Sequence, residues 1–223
     1  MGVNRAGFAI VDDAVCRAAS TQEVIRRYFR YQCEFKMGLT GKDTVERTQI
    51  IMNELDCQET DRAVVAPARQ AAESALAKGA GHDGIYCGTA IELPSGIIVT
   101  GKNSPLLHAS SAAVLNAIKT LAGIPDAIDV LSSNVLESVG AMKTGILNGS
   151  EVSMNLEETL IALSVSAAAN PMAQAALQKL RDLRGCEMHL THMPPPGDEA
   201  GLRKLGLNLT CDANFSSRSL HAE

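Results

Sequence analysis

The sequence has no tryptophan, and only 3% of its residues are aromatic. A protein that holds single-stranded nucleic acid by stacking bases on rings needs more than that. Positive charge is also in short supply: 20 Lys and Arg stand against 25 Asp and Glu, a formal net charge of -5. Without a basic field there is no general affinity for a phosphodiester backbone, so no nucleic-acid partner is expected. No apolar run reaches the length needed to span a bilayer, and no membrane partner is expected either. The six cysteines, at 16, 33, 57, 87, 186 and 211, form no Cys-x-x-Cys pair, which argues against zinc-knuckle and thioredoxin-like motifs. No secretory leader is legible, so these cysteines are expected to be reduced thiols of a cytoplasmic protein. The Met-Gly start is not read as a myristoylation site, because Ala6 stands where Ser or Thr is required.

What is present suits a globular fold: 46% hydrophobic and 20% charged residues in a chain of 223. Composition shifts near Gly79. That divides the chain into a mainly helical segment, residues 1–78, and an α/β domain, residues 79–223. In the first, Phe8 to Val11 reads as a short strand closed by Asp12-Asp13. The Ser20-x-x-Glu23 capping box predicts a helix to about Met37. A second helix starts at Thr40, and a third at Thr60 or Asp61, broken or restarted by Pro67. In the second segment, Ile85–Leu93 and Ile97–Thr100 flank Pro94-Ser95-Gly96 as a β-hairpin. Ser104 is a good N-cap with Pro105 at the first helical position, predicting a helix to about Ala122. Ile128–Leu131 reads as a strand and Asn134–Met142 as a short helix. Further helices open at Ser153 or Asn155 and at Asn170-Pro171. Met188–Thr191 and Leu207–Thr210 read as strands around a short helix from Asp198 to Leu205. The fold class is therefore α/β, a helical N-terminal segment followed by a mixed sheet flanked by helices.

Chemistry concentrates between Gly185 and Phe215. His189 and His192 invite a metal reading, since imidazole is a common zinc ligand. Positions three apart on a regular strand face opposite sides, however, and the catalytic Glu of the helical zinc-protease pattern is missing. No metal ligand is assigned, and no cofactor. Asp198 and Glu199 suit the first turn of a helix, where the macrodipole favours carboxylates by about 0.3–1 kcal/mol; a general base is the functional alternative. Cys211-Asp212-Ala213-Asn214 follows the last strand. Ligands in open α/β sheets gather at the carboxyl ends of strands, so these residues are expected to line one crevice.

A second candidate is the turn Gly101-Lys102-Asn103-Ser104. Lys102, Ser104 and the N–H groups of a following helix suit a phosphate or carboxylate, although the spacing is not that of a Walker loop. An ordinary helix cap is the competing reading. His108 with Ser110 and Ser111 raises a Ser–His nucleophile, with no triad order to support it. Arg5 near Asp12-Asp13 reads as a surface ion pair.

Together these residues predict an enzyme domain for a small anionic ligand, a phosphate or nucleotide included. Lys102, Asn103, Ser104, Asp212 and Asn214 would hold it. His189 or His192 would transfer a proton, oriented by Asp198 or Glu199. One alternative is a metal-dependent hydrolase. Another is an assembly or regulatory module whose Ala-rich helices, at 68–77 and 155–183, pack into a homo-oligomer.

Three stretches, MGVNRAGFAIVDD, TGKNSPLLHASSA and HLTHMPPPGDEAGLRKLG with its Asn-Leu-Thr-x-Asp-Ala-Asn-Phe sequel, resemble the bacterial uncharacterised protein family 0371, a domain of unknown function. The similarity runs over nearly the whole chain. The resemblance implies full-length members about twice as long, with a preceding α/β region that carries a glycine-rich, nucleotide-loop-like segment. The present chain would then be the C-terminal part of such a protein. Some members carry the label ATP-dependent peptidase or zinc protease, and the resemblance supplies no catalytic residues to carry over.

Overall fold

In the computed structural model, which describes residues 12–149 and 152–217, the backbone separates into two compact units, one ending at Arg62 and the other beginning at Ala63. The first unit holds α1 (Asp13–Lys36) packed against α2 (Lys42–Glu54), then a 3-10 turn at Glu59–Asp61. Helix α1 starts well before Ser20. Asp12 is its N-cap, accepting the backbone N–H groups of Ala14 and Val15 at 3.0 Å each. Ser20 lies inside the helix and donates to the Cys16 carbonyl. The Asp12-Asp13 pair caps the chain first and adds a carboxylate to the positive end of the dipole. Ile25, Phe29 and Cys33, spaced four apart, are the buried face. The strand expected at Phe8–Val11, and Arg5, lie outside the described residues.

The second unit is a four-stranded mixed sheet with helices on both faces. The α/β class read from the sequence is the observed one. The strands are β1 (Gly88–Glu92), β2 (Ile98–Lys102), β3 (Glu187–Leu190) and β4 (Asn208–Cys211), in the order β2-β1-β3-β4. β1 runs antiparallel to both β2 and β3, and β3 runs parallel to β4. The hairpin turn falls where Pro94-Ser95-Gly96 predicts. The parallel pair is joined through α8 (Pro196–Leu205), as a parallel connection requires a crossover.

Two glycines show how closely helices press on the sheet. A Cβ on Gly88 would sit 2.3 Å from the Ala68 carbonyl oxygen and 2.5 Å from the Ala72 nitrogen, so α3 (Val65–Ala77) lies on that face. A Cβ on Gly101 would sit 2.4 Å from the Ala113 nitrogen, so α4 (Ala109–Leu121) lies over β2. Gly101 pairs with Thr89, the neighbour of Gly88. Adjacent strand residues point to opposite faces, hence α3 and α4 cover opposite sides. The α4 side carries the main core, where Ile91, Met188 and Leu190 meet Val114, Ile118, Leu156, Leu163 and Leu202. Each such side chain contributes about 1.5–3 kcal/mol by burial.

Three local expectations differ from the structure. Pro67 does not break α3. It occupies the first turn, where its missing N–H has no helical partner to lose. Ser104 does not start α4. Its hydroxyl closes a turn by accepting the N–H groups of Leu106 and Leu107, and the helix begins behind His108. Ile128–Leu131 is not a strand: Ile128 donates to the Pro125 carbonyl in a turn, and Val130 and Leu131 are buried from a loop.

The remaining helices start where their caps predict. After α5 (Ser133–Ala141) and a π turn at Met142–Ile146, Asn155 and Glu158 form a reciprocal capping box on α6 (Leu156–Ala167). Asn170 caps α7 (Pro171–Gln178). No helix among the described residues is long and apolar enough to cross a membrane.

Candidate functional site

Because β1 opposes β2 and β3 while β4 follows β3, four chain ends meet at one sheet edge. They are the start of β1 at Cys87-Gly88, the end of β2 at Lys102-Asn103, the end of β3 at Thr191-His192, and the end of β4 at Asp212. Three of the four are carboxyl ends of strands, where ligands of α/β sheets bind. An open cavity of ≈ 440 Å³ lies here, lined by Leu76, Gly84, Ile85, Tyr86, His192, Asn214 and Phe215.

His192 is the histidine on the cavity wall. Its Nδ1 lies 3.0 Å from the Thr191 hydroxyl. That oxygen also accepts the Gly88 N–H at 2.9 Å and donates to the Cys87 sulfur at 3.9 Å. With Nδ1 held in this way, Nε2 is the nitrogen left for a ligand. Burial holds the His192 pKa below its ordinary value, with the Asp212 charge working the other way. His192 is thus a neutral imidazole at neutral pH. Asn214, also on the wall, is held by its amide donating to the Thr191 carbonyl at 2.9 Å.

Behind this wall lies a second network. Asp212 takes a two-pronged ion pair from Arg69 of α3, at 3.1 Å from Nε and 2.7 Å from Nη2. Its Oδ1 is 3.4 Å from the Nε2 of His189, a long contact. Nδ1 of His189 faces the Thr210 hydroxyl at 2.9 Å. Burial works to raise the Asp212 carboxyl, but the hydrogen bonds and charges of His189 and Arg69 prevail and hold it below its ordinary value. His189 is fully buried and is not on the cavity wall.

The other carboxylates lie elsewhere. Asp198, 2% exposed, bonds Nδ1 of His108 at 2.8 Å and the N–H of Leu156 at 2.6 Å. Glu199 makes an ion pair with Arg203 one turn on, at 2.6 Å. Asn103 clamps the cavity loop by accepting the Cys87 N–H and donating to the Ile85 carbonyl. Lys102 is exposed at the end of β2, and its pairing with Gly88 puts it on the α3 face. Burial pushes the Cys87 thiol up to about 12, which makes it an inert core thiol and not a nucleophile. Ser111 donates to the Met154 carbonyl, so it is not paired with His108.

The cavity wall therefore holds two of the nine candidate residues, His192 and Asn214, with Asn103 and Asp212 as supports. The residues that sequence reasoning missed are Arg69, Tyr86 and the pairing of His108 with Asp198. Their partners lie far along the chain, and no local spacing signals them. Among the described residues no three His, Cys, Asp or Glu side chains gather as a metal-holding set.

The chain matches the family described as "Domain of unknown function DUF1846, C-terminal" over residues 60–221, and its N-terminal counterpart over residues 1–56. A UPF0371 protein of Clostridium botulinum (strain Alaska E43 / Type E3) is 47% identical over 222 residues, 99% of this chain and 44% of the relative. A UPF0371 protein of Clostridium tetani (strain Massachusetts / E88) is 44% identical over 221 residues, with the same two coverages. The chain spans less than half the length of the curated relatives it matches. It belongs to this bacterial family of uncharacterised proteins, the DUF1846 or UPF0371 family.

Proposed function

We propose that the cavity at the carboxyl edge of β3 and β4 binds a small anionic molecule, as part of an enzyme. The observation that carries this reading is His192. It is a neutral ring, held at Nδ1 by Thr191, on the wall of a ≈ 440 Å³ cavity. Pockets for small ligands combine an apolar lining with a few fixed polar groups, and this one sets Leu76, Ile85 and Phe215 around His192, Tyr86 and Asn214. A neutral imidazole hydrogen-bonds a ligand without the cost of burying a cation, and the Asn214 side chain beside it is a further polar group on the wall. Lys102, exposed at the same edge, adds a positive charge that draws an anion in.

In the reaction class this implies, Nε2 of His192 meets a ligand oxygen and exchanges a proton with it. Thr191 holds Nδ1, Asn103 holds the cavity loop, and the Arg69–Asp212 pair fixes the strand end behind the ring.

Titration of the chain with inorganic phosphate and a nucleoside monophosphate, followed by histidine side-chain NMR, tests the proposal. Saturable shifts of the His192 ring that vanish in Asn214→Ala are the expected result. Absence of saturation with either probe, or binding unchanged in His192→Ala, would contradict it.

A further inference from the structure

His108 is the N-cap residue of α4, yet its side chain makes no cap bond to its own helix. The ring turns to Asp198, with Nδ1 2.8 Å from Oδ2. Asp198 is buried, and its other oxygen is taken by the Leu156 N–H at 2.6 Å. A carboxylate only accepts, so Nδ1 of His108 carries a proton, and in the neutral ring Nε2 carries a lone pair. The ring is 25% exposed, and its Nε2 is not among the buried polar atoms without a partner, so that nitrogen reaches solvent. The His108 N–H, bonded to the Met154 carbonyl at 3.0 Å, fixes the backbone beneath it.

Two further observations point to a ligand. The Ser110 hydroxyl, in the same first turn of α4, is 1% exposed and has no hydrogen-bond partner. Buried hydroxyls are nearly always paired, so this one leaves a polar group of the same turn with a hydrogen bond still to make. In addition, the N-terminal turns of α4, α6 and α8 meet at the Asp198 carboxylate, through His108, Leu156 and Asp198 itself. Their positive ends favour negative charge. None of His108, Ser110 and Asp198 lines the His192 cavity, so this pair stands apart from the proposed anion site.

We propose that His108 and Asp198 form an acid–base pair that takes the proton of a small hydroxyl ligand, water or an alcohol, bound at the first turn of α4. The O–H bond of the ligand breaks, its proton passes to Nε2 of His108, and the electron pair stays on the ligand oxygen. The imidazolium is balanced by Asp198, and the oxyanion is favoured by the helix N-termini.

The lone pair on Nε2 can be read directly with diethyl pyrocarbonate on the full 223-residue chain, with adducts located by mass spectrometry and ring NMR. Nε2 attacks the reagent's carbonyl, and the ring keeps the ethoxycarbonyl group while carbon dioxide and ethanol leave. The expected result is an adduct on Nε2 of His108 in the unsubstituted chain, and a rate at His108 that falls by about tenfold in Asp198→Asn, the loss of one charge-assisted hydrogen bond. The rate at His82 should stay unchanged. An adduct on Nδ1, no adduct at His108, or an unchanged rate in Asp198→Asn would overturn the proposal. The first two readings need no variant, so they stand even where the substitution harms folding. His192→Gln should leave the His108 rate as it is, which separates this pair from the anion site.

Discussion

His108 and His192 stand at the same end of one sheet and are held by partners of different kinds. The partner of His108 is a buried carboxylate on Nδ1, which leaves Nε2 as a proton acceptor. The partner of His192 is a hydroxyl, which also accepts the Gly88 N–H and donates to the Cys87 sulfur. A carboxylate fixes which ring nitrogen carries the proton, whereas a hydroxyl can serve either tautomer. The two supports also differ in cost. Asp198 has only a helix N–H and a histidine to satisfy it in a buried place, whereas Asp212 has a two-pronged guanidinium.

The comparison is broken most severely by Asp198→Ala. It leaves the Leu156 N–H and the His108 ring without their buried acceptor, and a loss of about 3 kcal/mol is expected in denaturant unfolding. Asp212→Asn should cost less, about 1–2 kcal/mol, because the freed Arg69 head can turn to solvent. That substitution also changes the acid limb. The folded Asp212 carboxyl titrates below its ordinary value, so its stabilisation is present above that value and lost as pH falls through the lower one. Asp212→Asn should remove this part of the acid sensitivity in pH-dependent melts.

His192→Gln sharpens the contrast at milder pH. Burial keeps the folded ring's pKa below the ordinary 6.5. On acidification the unfolded chain therefore takes up its proton first, and stability falls as pH drops below that value. The glutamine variant should show a flatter melting temperature between neutrality and pH 5. The smallest effect is expected from Glu199→Gln, which removes a surface ion pair with Arg203 worth no more than about 0.5 kcal/mol.

Local signals carried much of the fold. Pro94-Ser95-Gly96, Asn155 with Glu158, and Asn170-Pro171 each stand where a turn or cap is found, because these residues act on their immediate neighbours. The misses were competitions. Asp12 outbids Ser20 for the start of α1, and the Ser104 hydroxyl spends itself on a turn before α4 begins. For the site, strand ends were legible as a place and not as a set of partners. Asp198 was expected to orient His189 or His192 but binds His108, ninety residues away in the chain. Arg69 lies in an Ala-rich helix with nothing local to mark it as the partner of Asp212. Such pairings are set by the sheet order β2-β1-β3-β4, which no short window of sequence contains.

The most direct test is a two-dimensional spectrum of the ring nitrogens of the histidines at neutral pH, with His108 and His192 assigned by substitution. The structure predicts that the neutral His108 ring carries its proton on Nδ1, against the Asp198 carboxylate, and that phosphate shifts the His192 ring and not the His108 ring. A His108 ring protonated on Nε2 alone, or a His192 ring that phosphate leaves unmoved, would contradict the account.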